Sequence, residues 1–210
     1  MEDDRQISRD PFEEAAYRLR SLEPQRVAEL TLVSLEDSRF LIPCLRWQIE
    51  VSFPSLEFTM PPFLKTFGLR LLTLLYLANA SESRSAQEWV PYRELKDGLF
   101  YSKNFSETME SRIASRFGGD LEAFSKSALE LGGRPVDQGD AAFAFRMFPA
   151  LPILVILWSD SEEFPADCRI LFDRAATDRL SVFDLKMLSG ELLSLLFKVS
   201  EGRVDLAEQG

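Results

Sequence analysis

The 210-residue sequence contains no histidine. Without an imidazole there can be no Ser-His-Asp triad, no Cys-His dyad and no His-ligated zinc or haem. Any acid–base chemistry falls to Asp, Glu, Lys or Tyr. Cysteine is nearly as scarce: Cys44 and Cys168 are the only two, too few for a disulfide scaffold or a self-contained iron–sulfur site. No G-x-G-x-x-G occurs. The one Gly pair before a predicted helix, in "FGGD" (117–120), lacks the Lys-Ser/Thr of a phosphate loop, and its Asp120 would repel a phosphate. Both nucleotide fingerprints are excluded. Long apolar runs are missing as well. The longest, around Leu71–Ala80 and Ala150–Trp158, fall short of the ~20 residues a membrane helix needs. The opening "MEDDRQISRD" has no apolar h-region, so no secretory signal is expected.

What the chain has in surplus is negative charge, a formal −10 at pH 7. Nucleic-acid backbones and anionic membrane surfaces demand the opposite sign, so neither is an expected partner. The composition, 46% hydrophobic and 28% charged, is that of an ordinary globular chain. A chain of this length buries roughly 70% of its unfolded surface, so it needs no disulfide or metal to fold. We expect one domain over residues 1–203, a frayed tail over 204–210, and a reduced, cytoplasmic protein. A two-lobed arrangement split near 81–87 is the alternative.

Local signals set out the elements. Asp10, Pro11 and Glu13 read as a helix start, with Phe12, Ala16 and Leu19 following at helical spacing. The alternations Thr31/Val33/Leu35 and Trp47/Ile49/Val51/Phe53 predict two or three antiparallel strands. "PPFLKTFGLRLLTLLYLANA" (61–80) is apolar around most of a helical circumference and predicts a buried central helix. "SESRSAQ" (81–87) is a loop by composition. Helices are expected at 106–116 and 120–131, the second capped by Asp120 and closed by Gly132–Gly133. Then "AAFAFRMF" alternates, "LPILVILW" is continuously apolar as in a strand covered on both faces, and "CRILF" is a third strand. A last helix begins with a Ser181/Asp184 capping box and a Leu180/Leu185 staple. The whole predicts an α+β fold: one mostly antiparallel sheet built from N-terminal and C-terminal strands, a buried central helix, and further helices packed on it.

Two clusters are candidate sites. The first is acidic, in "LWSDSEEFPADCRILFD" (157–173): Asp160, Glu162, Glu163, Asp167 and Asp173. Carboxylates suit magnesium or calcium, or a general acid–base pair. The spacing lacks the glycine and Asp/Asn ladder of a calcium loop, and no metal site is assigned. The same residues also read as a solvated hairpin turn whose charges discourage edge pairing, with Phe164–Pro165 pinning it to the core. The second cluster interleaves aromatics and cations: Trp89, Tyr92, Arg93, Lys96, Tyr101 and Lys103, joined by Trp158. It reads as a ligand wall, stacking a flat molecule and pairing with its anionic groups, or as the core of a compact irregular segment. Cys168 alternates with Ile170 and Phe172 and so points into a core, where free Cys acts as a small hydrophobe.

The segments "EWVPYREL", "KDGLFYSKNF", "PALPILVILWSDSEEFPADCRILFD" and "ATDRLSVFDL" resemble a family of small prokaryotic proteins known as domain of unknown function 3786. The likeness runs from about residue 30 to 196 and is sharpest from Trp158 to Ala166. It brings no catalytic residue. Some relatives carry a Cys-rich iron–sulfur module, and the resemblance thereby implies a link to anaerobic redox or corrinoid metabolism. This chain departs from that pattern, with Cys44 and Cys168 alone. The expected function is an accessory or ligand-binding protein without catalysis of its own, its partner a protein or a small ligand and its cofactor unspecified. The alternative is a carboxylate-based, metal-dependent enzyme using Asp160–Asp173.

Overall fold

A computed structural model describes residues 10–204. The expected signal-free N-terminus and the tail from 205 lie outside the described residues. Asp10 caps α1 (Pro11–Arg20) by accepting from the Phe12 amide, 3.0 Å, with Pro11 at the first helical position. A second helix, α2 (Pro24–Thr31), fills a stretch for which the sequence pattern sets out no element and takes in Thr31, the first residue of the expected strand alternation. Its signal is Pro24 preceded by Glu23, whose carboxylate accepts from the Gln25 and Arg26 amides. Leu32, left-handed at φ 58, ends it, so the first strand begins only at Ser34.

Strands β1 (Ser34–Glu36), β2 (Arg39–Cys44), β3 (Trp47–Ser52) and β4 (Phe58–Thr59) form a four-stranded antiparallel sheet in sequence order. Asp37 and Ser38, both at positive φ (47 and 60), make the two-residue turn between β1 and β2. The register Phe40↔Val51 and Ile42↔Ile49 places these four side chains on one buried face. The central helix is α3 (Phe67–Ala78), whose Leu69, Leu72, Leu74 and Leu77 are enclosed on several sides.

Beyond the 81–87 loop come β5 (Trp89–Pro91), α4 (Ser102–Phe105), a π-helical turn (Ser106–Glu110), α5 (Ser111–Phe117) and α6 (Leu121–Glu130). Then β6 (Arg134–Pro135), β7 (Ala141–Phe148), β8 (Leu151–Trp158) and β9 (Asp167–Asp173) precede α7 (Val182–Ser200). The second sheet has the order β5-β9-β8-β7-β6, all antiparallel. The Ser181/Asp184 capping box forms as expected.

The α+β class stands, but the expected single sheet is two. Tight turns let the N-terminal strands pair among themselves, and their sheet meets the other where the Leu45 amide donates to the Arg146 carbonyl, 2.8 Å. On the larger sheet Ile153, Val155 and Leu157 join the main core, while Leu154 and Ile156 belong to a small second cluster with Ala142. That division explains the unbroken apolar run of β8: both its faces are covered. No helix among the described residues is long and apolar enough to cross a membrane.

Tyr76 knits these parts together. Its hydroxyl donates to the Thr31 carbonyl, 2.5 Å, and accepts from the Ala150 amide, 3.1 Å. Its ring stacks on Phe148 at 4.8 Å between centroids. Burial pushes the phenol up to about 12, so it stays a neutral donor. Tyr76→Phe leaves a buried carbonyl and amide without their partner. We expect a loss of about 1–3 kcal/mol, read from the urea midpoint with the slope unchanged.

Candidate functional site

Strand β9 decides the fate of the acidic cluster. Asp160, Glu162 and Glu163 lie on the β8–β9 hairpin, exposed to solvent. Asp167 opens β9, accepting from its neighbour Cys168's amide and from Arg169, both 2.9 Å. Asp173 closes the strand, about 20 Å away at 3.3 Å per residue. The five carboxylates therefore do not converge. Among the described residues no group of acidic or cysteine side chains is arranged to hold a metal ion.

Asp173 is bound instead to the 81–87 loop. Only 4% exposed, it accepts from the Ser85 hydroxyl at 2.5 Å and from the Ala86, Gln87 and Ala175 amides at 2.9–3.1 Å. Burial alone would raise its pKa, but these four donors hold the carboxyl below the usual carboxylate range. The hairpin is also pinned otherwise than expected. Phe164 is 68% exposed and anchors nothing in the core. Ala166 packs against Gly118 at the end of α5 so closely that a Cβ on Gly118 would lie 2.1 Å from that of Ala166. Asp140 accepts from the Ser159 amide and hydroxyl at the hairpin's other end.

The aromatic and cationic segment divides as well. Tyr92 and Phe105 stack ring on ring at 4.1 Å and pack edge-on against Phe172. They are core, with the Tyr92 hydroxyl donating to the Val182 carbonyl. Lys96 and Tyr101 face a different hollow, beside the start of α7, where Tyr101 meets Phe183. Trp158 borders a third hollow, next to the hairpin. Trp89 starts β5 directly opposite Asp173.

What remains of the segment builds a groove of about 500 Å³ against the outer side of β9. Arg93, Lys103 and Glu110 line it from the Tyr92–Glu110 segment, and Arg169 and Leu171 line it from β9. Glu110 escaped the sequence reading because nothing local distinguishes it from other helix acids. It ends the π-helical turn, a distortion often found at functional sites. β5 stops at Pro91, so the β9 edge beyond Leu171 lacks a partner strand. Glu110, 7% exposed, fills the gap by accepting from the Ile170 amide at 3.0 Å. Its other oxygen lies 4.0 Å from Arg169. Together with Asp167 on the Cys168 amide, it blocks the sheet edge against strand addition and leaves a polar pocket in which both signs of charge are presented.

Both cysteines are buried. Burial and the nearby Glu191 push Cys44 up to about 12, and burial with Glu110 and Asp167 nearby raises Cys168 well above its ordinary value. Neither is a thiolate nucleophile or a ready metal ligand at neutral pH.

A family model described as "Domain of unknown function (DUF3786)" matches residues 23–194 of this chain. No curated protein and no solved structure matches it.

The separation of Asp173 from the hairpin acids sets their expected mutational costs apart. Asp173→Ala should cost about 2–3 kcal/mol, the scale of hydrogen bonds to a charged group, whereas Asp160→Ala and Glu163→Ala should leave the melting temperature unchanged, as should added magnesium or calcium. Because folding lowers the Asp173 pKa, its stabilisation is complete above the ordinary carboxylate value of about 4 and is lost as pH falls through the folded value. The gap between wild type and Asp173→Ala should accordingly narrow in strong acid. Iodoacetamide should leave both thiols of the native protein unmodified at pH 7 and label both after unfolding.

Proposed function

The chain belongs to the DUF3786 family, and we propose that it is a recognition protein with no catalysis of its own, acting as one domain in the cytoplasm. The observation that carries this reading is the groove between the Tyr92–Glu110 segment and β9. It offers Arg93, with Lys103 (3.9 Å from Glu107) and Arg169 (shared with Asp167 and Glu110) beside it, to an acidic group and Glu110 to a donor, on a protein whose overall charge is −10. A concavity of this size with a few convergent polar groups suits a small polar molecule. The preferred ligand carries both an acidic group and a hydrogen-bond donor, as an amino acid does.

Two observations support recognition over reaction: the Ser102 hydroxyl lining the groove donates to the Leu99 carbonyl rather than to a base, and among the described residues the acidic side chains form no group arranged to hold a metal ion. The acidic hairpin is assigned the plainer task of keeping two apolar strands soluble and their edge unpaired. The link to anaerobic redox or corrinoid metabolism rests on the family likeness. With both thiols sealed in the core, the role proposed is that of an accessory to such chemistry rather than its seat. Neither nucleic acid nor a membrane is a proposed partner.

The test is thermal melting against a panel of amino acids, dicarboxylates and phosphate esters. A ligand at a hundredfold its Kd adds roughly 2.7 kcal/mol, a rise on the order of 5–10 °C for a chain of this size. We expect one class to produce that rise and Arg93→Gln/Lys103→Gln to abolish it. No response across the panel, or the same response in the variant, would contradict the assignment.

A further inference from the structure

A second concavity, of about 820 Å³, lies between the end of α2, the 81–85 loop and the turn joining β7 to β8. It shares no lining residue with the groove on β9. Its charged residues are four arginines and two glutamates. Both glutamates are spent on one arginine: Arg26 pairs with Glu29 at 3.2 Å and with Glu82 at 2.5 Å. That leaves Arg84, Arg146 and Arg179, none of which has a carboxylate partner within 4.0 Å among the described residues.

Arg179 is the unusual member, because its residue is only 6% exposed. Its guanidinium donates to three carbonyls, Leu30 at 3.0 Å, Ser81 at 3.3 Å and Ser83 at 2.8 Å. Those bonds use three of its five N–H groups. They tie α2 to the 81–83 loop, so two walls of the cleft stand ready before anything binds. Carbonyl dipoles satisfy hydrogen bonds but supply no net counter-charge, and a buried cation without one is costly. Arg84 and Arg146 are exposed, on the loop and on β7 respectively. Four arginines against two glutamates give the concavity a net charge of +2, a positive field on an otherwise acidic surface. The planar guanidinium forks match the oxygens of phosphate and carboxylate groups.

We propose that this cleft binds a small, multiply charged oxyanion, held by Arg84 and Arg146 and neutralising Arg179. The shared chemistry is a cluster of anionic oxygens, carried by a phosphate group or by a polycarboxylate.

The experiment uses inorganic phosphate and citrate as probes, titrated by calorimetry and thermal melting at ionic strength matched with sodium chloride. One probe should bind saturably. Arg84→Gln/Arg146→Gln, both at exposed positions and so compatible with folding, should weaken it at least tenfold. Lys126→Gln/Arg134→Gln, which removes the same charge elsewhere on the surface, should bind as wild type. Saturation by phosphate alone identifies a phosphate ligand, and by citrate alone a polycarboxylate. The proposal is overturned if neither probe saturates, if chloride reproduces the effect, or if Arg84→Gln/Arg146→Gln binds normally. If Arg93→Gln/Lys103→Gln abolishes the binding and Arg84→Gln/Arg146→Gln does not, the anion sits on β9; the cleft assignment then fails while the groove reading stands.

Discussion

One short loop, Ser81 to Glu88, is clamped by two buried charges of opposite sign, and the groove on β9 and the arginine cleft depend on it. Arg179 draws in the carbonyls of Ser81 and Ser83. Asp173 gathers the Ser85 hydroxyl and the amides of Ala86 and Gln87. The two charges hold successive parts of the loop, Arg179 residues 81–83 through carbonyls and Asp173 residues 85–87 through amides and a hydroxyl. The loop has little apolar surface with which to hold itself in place, so these polar bonds supply the order that a hydrophobic segment would obtain from burial.

Fixing that loop also fixes the position of β5. Glu88 accepts from the Arg174 amide through its carbonyl and receives a two-pronged contact from the Arg174 guanidinium, which delivers Trp89–Pro91 onto β9. Once β5 ends at Pro91, the chain turns away and the strand edge opens. Glu110 then closes the Ile170 position, and the space between becomes the groove. The same loop forms a wall of the arginine cleft on its other side. Sequence, loop, sheet edge and groove form one chain of causes.

Much of the fold was legible because its causes are local. The Ser181/Asp184 capping box, the Asp120 cap and the period-two pattern of β7 and β9 each depend on residues within a few positions, and each appears where the pattern put it. α2 was hidden because its eight residues end in an alternating apolar stretch that also fits a strand. The division into two sheets depends on contacts across the whole chain, which periodicity does not register. The site was less legible still. Asp173 looked like a member of an acidic cluster because its neighbours in sequence are acids, whereas its partners lie in the distant 81–87 loop. Asp160, Glu162 and Glu163 lie exposed on the β8–β9 hairpin, away from Asp173. Of the expected ligand wall, Arg93 and Lys103 reach the groove with Tyr92 beneath them, while Lys96, Tyr101 and Trp158 look onto other hollows. Glu110 and Arg179 carried no local signal, since burial is what gives a lone charged side chain its significance.

The most direct examination of the central claim, recognition without metal-dependent carboxylate chemistry, is residue-resolved. Amide and arginine side-chain resonances of the isotope-labelled protein would be monitored while magnesium and then a mixture of small polar metabolites are added. The account predicts saturable shifts around Arg93, Lys103, Glu110 and Arg169 with the organic mixture, a separate set around Arg84, Arg146 and Arg179 where the mixture contains a multiply charged oxyanion, and none with magnesium. Saturable magnesium shifts centred on Asp160, Glu162 and Glu163 would contradict it.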